Sequence, residues 1–348
     1  MDAEEGIKLK RGGLPLIALS TTPNRFRPMG TLSEVMRIFR HFAELPDAVR
    51  GGVVALGNFD GVHRGHQAVI GKALELAKGW GAPAGVMTFE PHPRSVFLPD
   101  QPPFRLTPFR IKARLIEALG VDFLLMQHFD KAFAAHSADE FVQQVLIEGL
   151  GARAVVVGYD FCFGKARSGN VARLREQKEF ETFAVDAQGG ADGQVFSSNM
   201  IRQSLLDAKP ERAAEILGRL WEIEGRVETG DQRGRTIGFP TANLHLADYL
   251  RPANGVYAVR AGIDHGSDTI WHDGVANLGR RPTFDKQDVI LEAHLFDFDG
   301  DLYGRHLRVA LAGHIRPERK FDGLSALKAQ IVEDCDTARS ILSKAPMQ

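Results

Sequence analysis

A glycine-punctuated stretch, Gly57-Asn58-Phe59-Asp60-Gly61-Val62-His63-Arg64-Gly65-His66, follows the apolar run Val53 to Leu56 and opens an amphipathic helix. Glycines at 57, 61 and 65 let backbone N–H groups come close to an anion. A helix starting near Arg64 adds free N–H groups and the positive end of its dipole. A nucleotide phosphate is the anion such a turn accepts. His63 and His66, three residues apart, share the face of the first helical turn. Two imidazoles beside a phosphate loop suit displacement at the α-phosphate of ATP. Negative charge there grows on transferring and departing oxygens and must be met by fixed donors, with no covalent intermediate. Two other readings of the pair stay open. One is an ordinary strand-to-helix connection with solvated imidazoles. The other is a zinc site, although a third ligand and a common zinc spacing are both missing.

Three further clusters could carry chemistry. Ser197-Ser198-Asn199-Met200-Ile201-Arg202 lies at an expected helix start, so hydroxyls, backbone N–H groups and a guanidinium converge where a triphosphate could be held. The alternative is a Ser N-cap followed by a surface Arg. Tyr159, Phe161 and Phe163, around Asp160, could flank a planar ring system or belong to the core. In Gly234-Arg235-Thr236-Ile237-Gly238-Phe239-Pro240-Thr241-Ala242-Asn243, Gly234 and Gly238 permit close backbone approach to phosphate, and Thr241 and Asn243 are hard oxygen ligands suited to Mg²⁺. Glu292, in the run Leu291 to Phe298, reads by itself as a solvated strand carboxylate.

The elements that must position these groups fall into two grammars. From Val53 to about Ala187, apolar runs at Val53–Leu56, Gly85–Phe89, Val121–Met126 and Ala154–Val157 alternate with helical periodicities. Thr107-Pro108 reads as N-cap and first helical residue with Gly120 closing that helix, and Ser137 to Glu140 as a capping box. This alternation predicts a parallel sheet covered by helices, with the glycine loop at the carboxyl end of its first strand. A further helix is expected around Leu32 to Phe42. Near Pro210 the pattern changes: a helix from Glu211 to Leu220 leads into short strands at Trp221–Val227, Val256–Ala261, Thr269–Val275, Val289–Phe296 and Leu307–Ile315. Those predict a small antiparallel barrel or sandwich, closed by a helix over Leu324 to Leu342. The expected organisation is an extension over 1–50, an α/β domain over 51–208 and a β domain over 209–348.

Composition sets outer bounds. The 348 residues exceed one typical core, and 44% hydrophobic with 25% charged residues is ordinary globular usage. A net charge of -1 offers no overall electrostatic attraction for nucleic acid, so no nucleic-acid partner is expected. Two cysteines, Cys162 and Cys335, exclude a disulfide framework and fit a reducing cytoplasmic compartment. No apolar run suits a membrane span, and Met1 to Arg11 lacks a signal-peptide pattern. Neither export nor membrane association is expected, and oligomeric state is not legible.

The decapeptide at 57–66 resembles the G-x-F-D-x-x-H-x-G-H signature of a nucleotidyltransferase superfamily that includes FMN and pantetheine-phosphate adenylyltransferases. Phe196 to Arg202 resembles its I-S-S-T-x-I-R element, with Phe196 in place of Ile and Asn199 in place of Thr. Residues 234–243 match the flavokinase signature G-R-x-x-G-F-P-T-A-N at each specified position. With Thr88 to Arg94, Arg105 to Pro108, Gly274 to Phe284 and Phe321 to Arg339, these motifs resemble the bacterial bifunctional riboflavin kinase/FAD synthetases from about Val53 to Ser340. The resemblance implies a Rossmann-like adenylyltransferase domain followed by a flavokinase-like barrel, with riboflavin, FMN and ATP as ligands and Mg²⁺ as cofactor. It implies Glu292 as base for the ribityl hydroxyl, Thr241 and Asn243 on the metal, and Gly234, Arg235 and Gly238 on phosphates. In the first domain it implies His63, His66 and Arg202 as stabilisers of adenylyl transfer, with Gly57, Asn58, Phe59, Gly65 and Ser198 around the ATP phosphates. It implies an orienting role for Asp60 in the turn and a place for Asp160 near the adenine or flavin. Arg339, implied to be near the flavin, either reaches a substrate phosphate or favours the final helix dipole. Two alternatives remain open at this point: a riboflavin kinase whose adenylyltransferase half is inactive, and a non-catalytic flavin and ATP binder.

Overall fold

A computed structural model describes residues 36–229, 238–265, 268–282 and 287–345, all within one compact unit, Glu34–Gln348. Its first half is a six-stranded sheet. The strands are β1 (Arg37–Phe39), β2 (Val53–Leu56), β3 (Ala84–Glu90), β4 (Phe123–His128), β5 (Ala154–Gly158) and β8 (Glu181–Val185), in the order β1-β4-β3-β2-β5-β8. Every pairing is parallel. The central strands are buried on both faces, which accounts for their unbroken apolar runs. A small hairpin, β6 (Cys162–Phe163) with β7 (Gly169–Asn170), follows β5.

Helices α1 (Arg64–Trp80), α2 (Pro93–Phe97), α3 (Phe109–Glu117), α4 (Ala138–Glu140, continuing as π-helical turns over Phe141–Gly149), α5 (Val171–Arg175) and α6 (Ser198–Leu206) complete this half. In α1 the buried residues Val69, Ile70, Ala73 and Ala77 recur at helical spacing against the sheet, and Gly81 in the left-handed region ends the helix. The expected capping box at Ser137 and Glu140 is present.

Two local expectations are corrected. The described part of the segment expected to be helical over Leu32 to Phe42 contains the edge strand β1, paired with β4, and then a 3₁₀ turn at Phe42–Glu44. Sheet pairing decided a segment too short for its own periodicity to be diagnostic. The N-cap of α3 is Pro108 and not Thr107, because the Thr107 hydroxyl is taken by the glycine loop, where it accepts from Gly61 N–H at 2.8 Å.

Helix α7 (Pro210–Leu217) leads into the second sheet, β9 (Trp221–Arg226), β10 (Ala242–His245), β11 (Gly255–His265), β12 (Asp268–Pro282), β13 (Gln287–Leu295) and β14 (His306–Arg316). Its order is β10-β13-β12-β11-β14-β9, every pairing antiparallel. The sheet curls until its edges meet at the Glu228–Asn243 bridge. One face encloses a core that includes Leu244, Ala276, Leu291 and Leu311, and on the other Val256, Val275 and Ala310 pack with Ala338 and Leu342 of α8 (Leu324–Leu342).

Candidate active sites

The glycine loop connects β2 to α1 through left-handed backbone at Phe59 (φ 47°), Gly61 (φ 92°) and Val62 (φ 44°). Such angles are costly for Phe and especially for β-branched Val, so the surroundings must hold them. Asp60 is the anchor. Its buried carboxylate accepts from Leu106 N–H (3.0 Å), Thr107 N–H (3.0 Å) and Arg202 Nη2 (2.5 Å). Burial raises the Asp60 carboxyl, but Arg202, Lys112, the Thr107 N–H and Arg105 outweigh it and leave it below its ordinary value. Arg202 is fixed on all three nitrogens: Nε donates to Phe104 O (2.9 Å), Nη1 to Asn199 Oδ1 (2.7 Å) and Nη2 to Asp60. Asn199, where the resemblance expects Thr, thus supplies an acceptor that orients the guanidinium. Ser198, expected on phosphate, donates its hydroxyl to Asp60 O at 2.8 Å and ties α6 to the loop.

His63 caps α1, its Nδ1 accepting from His66 N–H at 3.3 Å, which places the proton of a neutral ring on Nε2. The His63 and His66 rings stack with centroids 3.5 Å apart, and Phe59 meets His66 edge-on. Burial draws His63 down to about 4, and Arg219 and Arg202 add to the effect against the opposing Asp60. Burial, then His63 and neighbouring cations, hold His66 well below the usual histidine range. Both rings are therefore neutral at pH 7. His66 Nδ1 is buried without a partner. Gly57 and Gly65 matter sterically, since a Cβ at either would lie 3.0 Å from the ring of Phe59 or His63.

A cavity of about 870 Å³ gathers Gly57, Asn58, Phe59, His63, Gly65, His66, Asp160, Ser198 and Arg202. The N-termini of α1 and α6 both reach it, which suits anionic oxygens at one side. Phe89, Phe97, Phe129 and Phe133 line it elsewhere, as do Tyr159, Phe161 and Phe163, of which Phe163 also belongs to the buried core and Phe161 packs against it. Phosphates and planar rings are the ligand chemistry this combination accepts.

Lys112 belongs to none of the motifs legible in the sequence. It is fully buried on the apolar face of α3 and donates to Asn58 O at 3.1 Å, beneath the glycine loop. Burial and Arg105 pull its ammonium down to about 8 against the opposing Asp60 and Glu90. Its only sequence signal is a lysine among Ile111, Ala113 and Ile116. The Arg105–Glu90 pair, with two contacts of 2.8 Å, was also unassigned.

In the second half, strand register does the assembling. Glu292 on β13 lies opposite Asn243 on β10 and Asn277 on β12, so all three form one row across the sheet. The row faces away from the core, because the alternate residues Ala242, Leu244, Leu291 and Ala293 are the ones in it. Thr241 immediately precedes β10, two residues before Asn243. Asn243 is buried, yet its Oδ1 has no partner. Gly238 takes φ 91°, and the His294 ring nitrogen Nδ1 meets Pro240 O at 2.9 Å, anchoring the adjoining segment. Gly234 and Arg235 lie outside the described residues. Arg339, in the last turn of α8, stacks 4.2 Å over Phe296 and reaches Asp297 at 3.3 Å. Asp334 takes a bidentate Arg316 and fastens α8 to β14.

A nucleotide loop at the carboxyl end of a parallel sheet, joined to a barrel with a polar row on the face away from its core, defines a two-part nucleotide-using enzyme. The FAD synthetase family profile matches residues 45–199 and the riboflavin kinase profile residues 217–342. The bifunctional riboflavin kinase/FMN adenylyltransferase of Escherichia coli (strain K12) is 42% identical over 307 residues, covering 87% of this chain and 97% of that protein. The same-named protein of Bacillus subtilis (strain 168) is 39% identical over 289 residues, covering 81% and 90%. The chain belongs to the family of bacterial bifunctional riboflavin kinase/FMN adenylyltransferases. A crystal structure described as a macrolide-efflux protein from Streptococcus pneumoniae superposes with a TM-score of 0.79 at 31% identity, over 88% of this chain and 99% of that one. Efflux is said of that protein; among the described residues here, no helix is long and apolar enough to cross a membrane.

Proposed function

We propose that this chain phosphorylates riboflavin to FMN with Mg·ATP and then transfers AMP from a second ATP to FMN, giving FAD and pyrophosphate. The family membership of both halves supports the two activities, and the cavity joining phosphate-binding turns to aromatic walls is the observation that carries the second.

In the kinase half Glu292 takes the proton of the ribityl 5′-hydroxyl as that oxygen attacks the γ-phosphate and ADP leaves. Thr241 and Asn243 fit a magnesium ion: Asn243 Oδ1 is a buried oxygen without a protein partner, on the same row as the base. Magnesium in a phosphoryl-transfer site takes much of its coordination from substrate phosphates and water. When bound, magnesium neutralises charge developing on the phosphates. In the first half an FMN phosphate oxygen attacks the α-phosphate and pyrophosphate departs. His63 donates from Nε2, Arg202 is held ready by Asp60 and Asn199, and His66 adds its ring to the same wall. A cytoplasmic setting fits two free cysteines and the demand for ATP.

Separation of flavins by chromatography during incubation with riboflavin, ATP and Mg²⁺ tests this reading. FMN followed by FAD is expected. Glu292→Gln should stop FMN formation and spare FAD formation from supplied FMN, and His66→Ala should do the reverse. FMN without FAD from the wild-type protein would favour an inactive adenylyltransferase half, with Asn199 as the first residue to restore to Thr.

A further inference from the structure

The glycine loop is held from three sides, and one of them belongs to the other half of the chain. Helix α7 ends at Gly218, whose left-handed backbone (φ 76°) reverses the chain so that Arg219 runs back toward the loop. Its guanidinium donates from Nη2 to Gly61 O at 2.8 Å and from Nη1 to Val62 O at 3.3 Å. Those are the carbonyls of the two consecutive left-handed residues immediately before His63. Gln67 Nε2 links the same Val62 carbonyl to Leu217 O, each at 2.9 Å. Two positions further along, Trp221 Nε1 donates to Leu106 O at 2.9 Å, and the N–H of Leu106 is one of the donors on Asp60. The segment 217–221 therefore braces both sides of the loop.

We infer that Arg219, from the segment leading into the kinase barrel, is a positioning residue for adenylyl transfer, fixing the Gly61 and Val62 carbonyls so that His63 presents its ring to the cavity. Without Arg219, Gly61 O loses this donor and Val62 O keeps only that of Gln67, so the left-handed pair relaxes toward ordinary angles and displaces His63 and the start of α1. Misplacement of about 1 Å near reacting groups can cost about 100-fold in rate. Burial lowers the guanidinium's affinity for a proton only to about 10, so it stays charged, and its charge helps keep His63 and His66 neutral.

The inference rests on the adenylyltransferase reading, and two measurements keep the two separable. The first compares full-length Arg219→Met, which keeps the stem and removes the donors, with Arg219→Lys, which restores one donor group. The expected result for Met is a fall of about tenfold or more in kcat for FAD formation from FMN. KM for FMN should stay within about twofold, riboflavin phosphorylation should be unchanged, and Lys should recover part of the loss. The second is amide hydrogen exchange of ligand-free protein, expected to accelerate across Gly61 to His66 in Met without change in the barrel strands. Unchanged loop exchange overturns the positioning role even if the wild-type protein makes no FAD, an outcome that would overturn the functional reading alone. A parallel fall of both activities and of the melting temperature would make Arg219 a general stability residue and also overturn the inference.

Discussion

At the scale of single residues the first site is organised around Asp60, which holds both the Leu106–Thr107 backbone and Arg202. Asp60→Asn leaves the guanidinium, itself largely buried, without its counter-charge. The expected outcome is a loss of about 3 kcal/mol in chemical denaturation, with FAD formation falling more than FMN formation. The histidines give a pH signature. His63 and His92 are each drawn by burial to about 4, below the ordinary 6.5. The unfolded chain then binds more protons between those values, so stability is fully present above about pH 6.5 and declines as pH falls toward 4. The depressed Asp60 carboxyl extends the loss below pH 3.8. Melting temperature against pH should show the decline, and His63→Asn, which keeps a capping acceptor, should make it shallower. An equal slope in that variant places the titration elsewhere. The loop, its histidines and Arg202 were legible because their spacing is local. Lys112 was not, because what justifies a buried lysine is Asn58 O, Thr88 and Glu90, brought to it by the fold.

At the scale of elements, Leu291, Ala293 and Leu295 of β13 lie in the core and alternate with Glu292 and His294, but which strands flank Glu292 depends on register. The sequence offers Asn243 as an oxygen-bearing side chain and the resemblance offers Glu292 as a base; that they sit opposite each other, with Asn277 on the far side, comes only from pairing. The short strand β10 was hidden for the same reason, since four residues carry little periodicity. The assembled row gives a direct expectation. Asn243→Ala should lower FMN formation by at least about tenfold at fixed Mg²⁺, raise the Mg²⁺ needed for half-maximal rate, and leave FAD formation from supplied FMN intact. An unchanged Mg²⁺ dependence would remove Asn243 from the metal. Helix ends were less legible than strands, as Thr107 illustrates: its hydroxyl had a tertiary partner stronger than the cap that local grammar assigned to it.

At the scale of the molecule, the change of grammar near Pro210 marks where a sheet with helices gives way to a barrel, but local periodicity cannot report whether two units share a core. Here they do. Leu106, Phe196, Ile201 and Leu205 of the first half belong to one buried cluster with Trp221, Tyr249 and Leu250 of the second. Leu250 N–H donates to Arg105 O at 2.8 Å, and Ala253 N–H to Leu205 O at 3.1 Å. At the edge of this contact Arg114 of α3 spans Glu222 (2.9 Å) and Glu224 (2.6 Å) of β9, and Arg308 of β14 meets Glu222 from the barrel side. A shared apolar core flanked by buried ion pairs makes separate unfolding of either half expensive, because each would expose the other's face to water. The two activities should therefore be lost with one half-life during incubation at a raised temperature, within a single calorimetric transition. Arg114→Ala leaves the nearly buried Glu224 carboxylate without its cation, which costs roughly 3 kcal/mol. It should lower the midpoint by about 5 °C or more and shorten both half-lives by the same factor. Riboflavin phosphorylation outlasting FAD formation, or two resolved transitions, would mean that the interface contributes less than the internal cores and that the halves are thermodynamically separate.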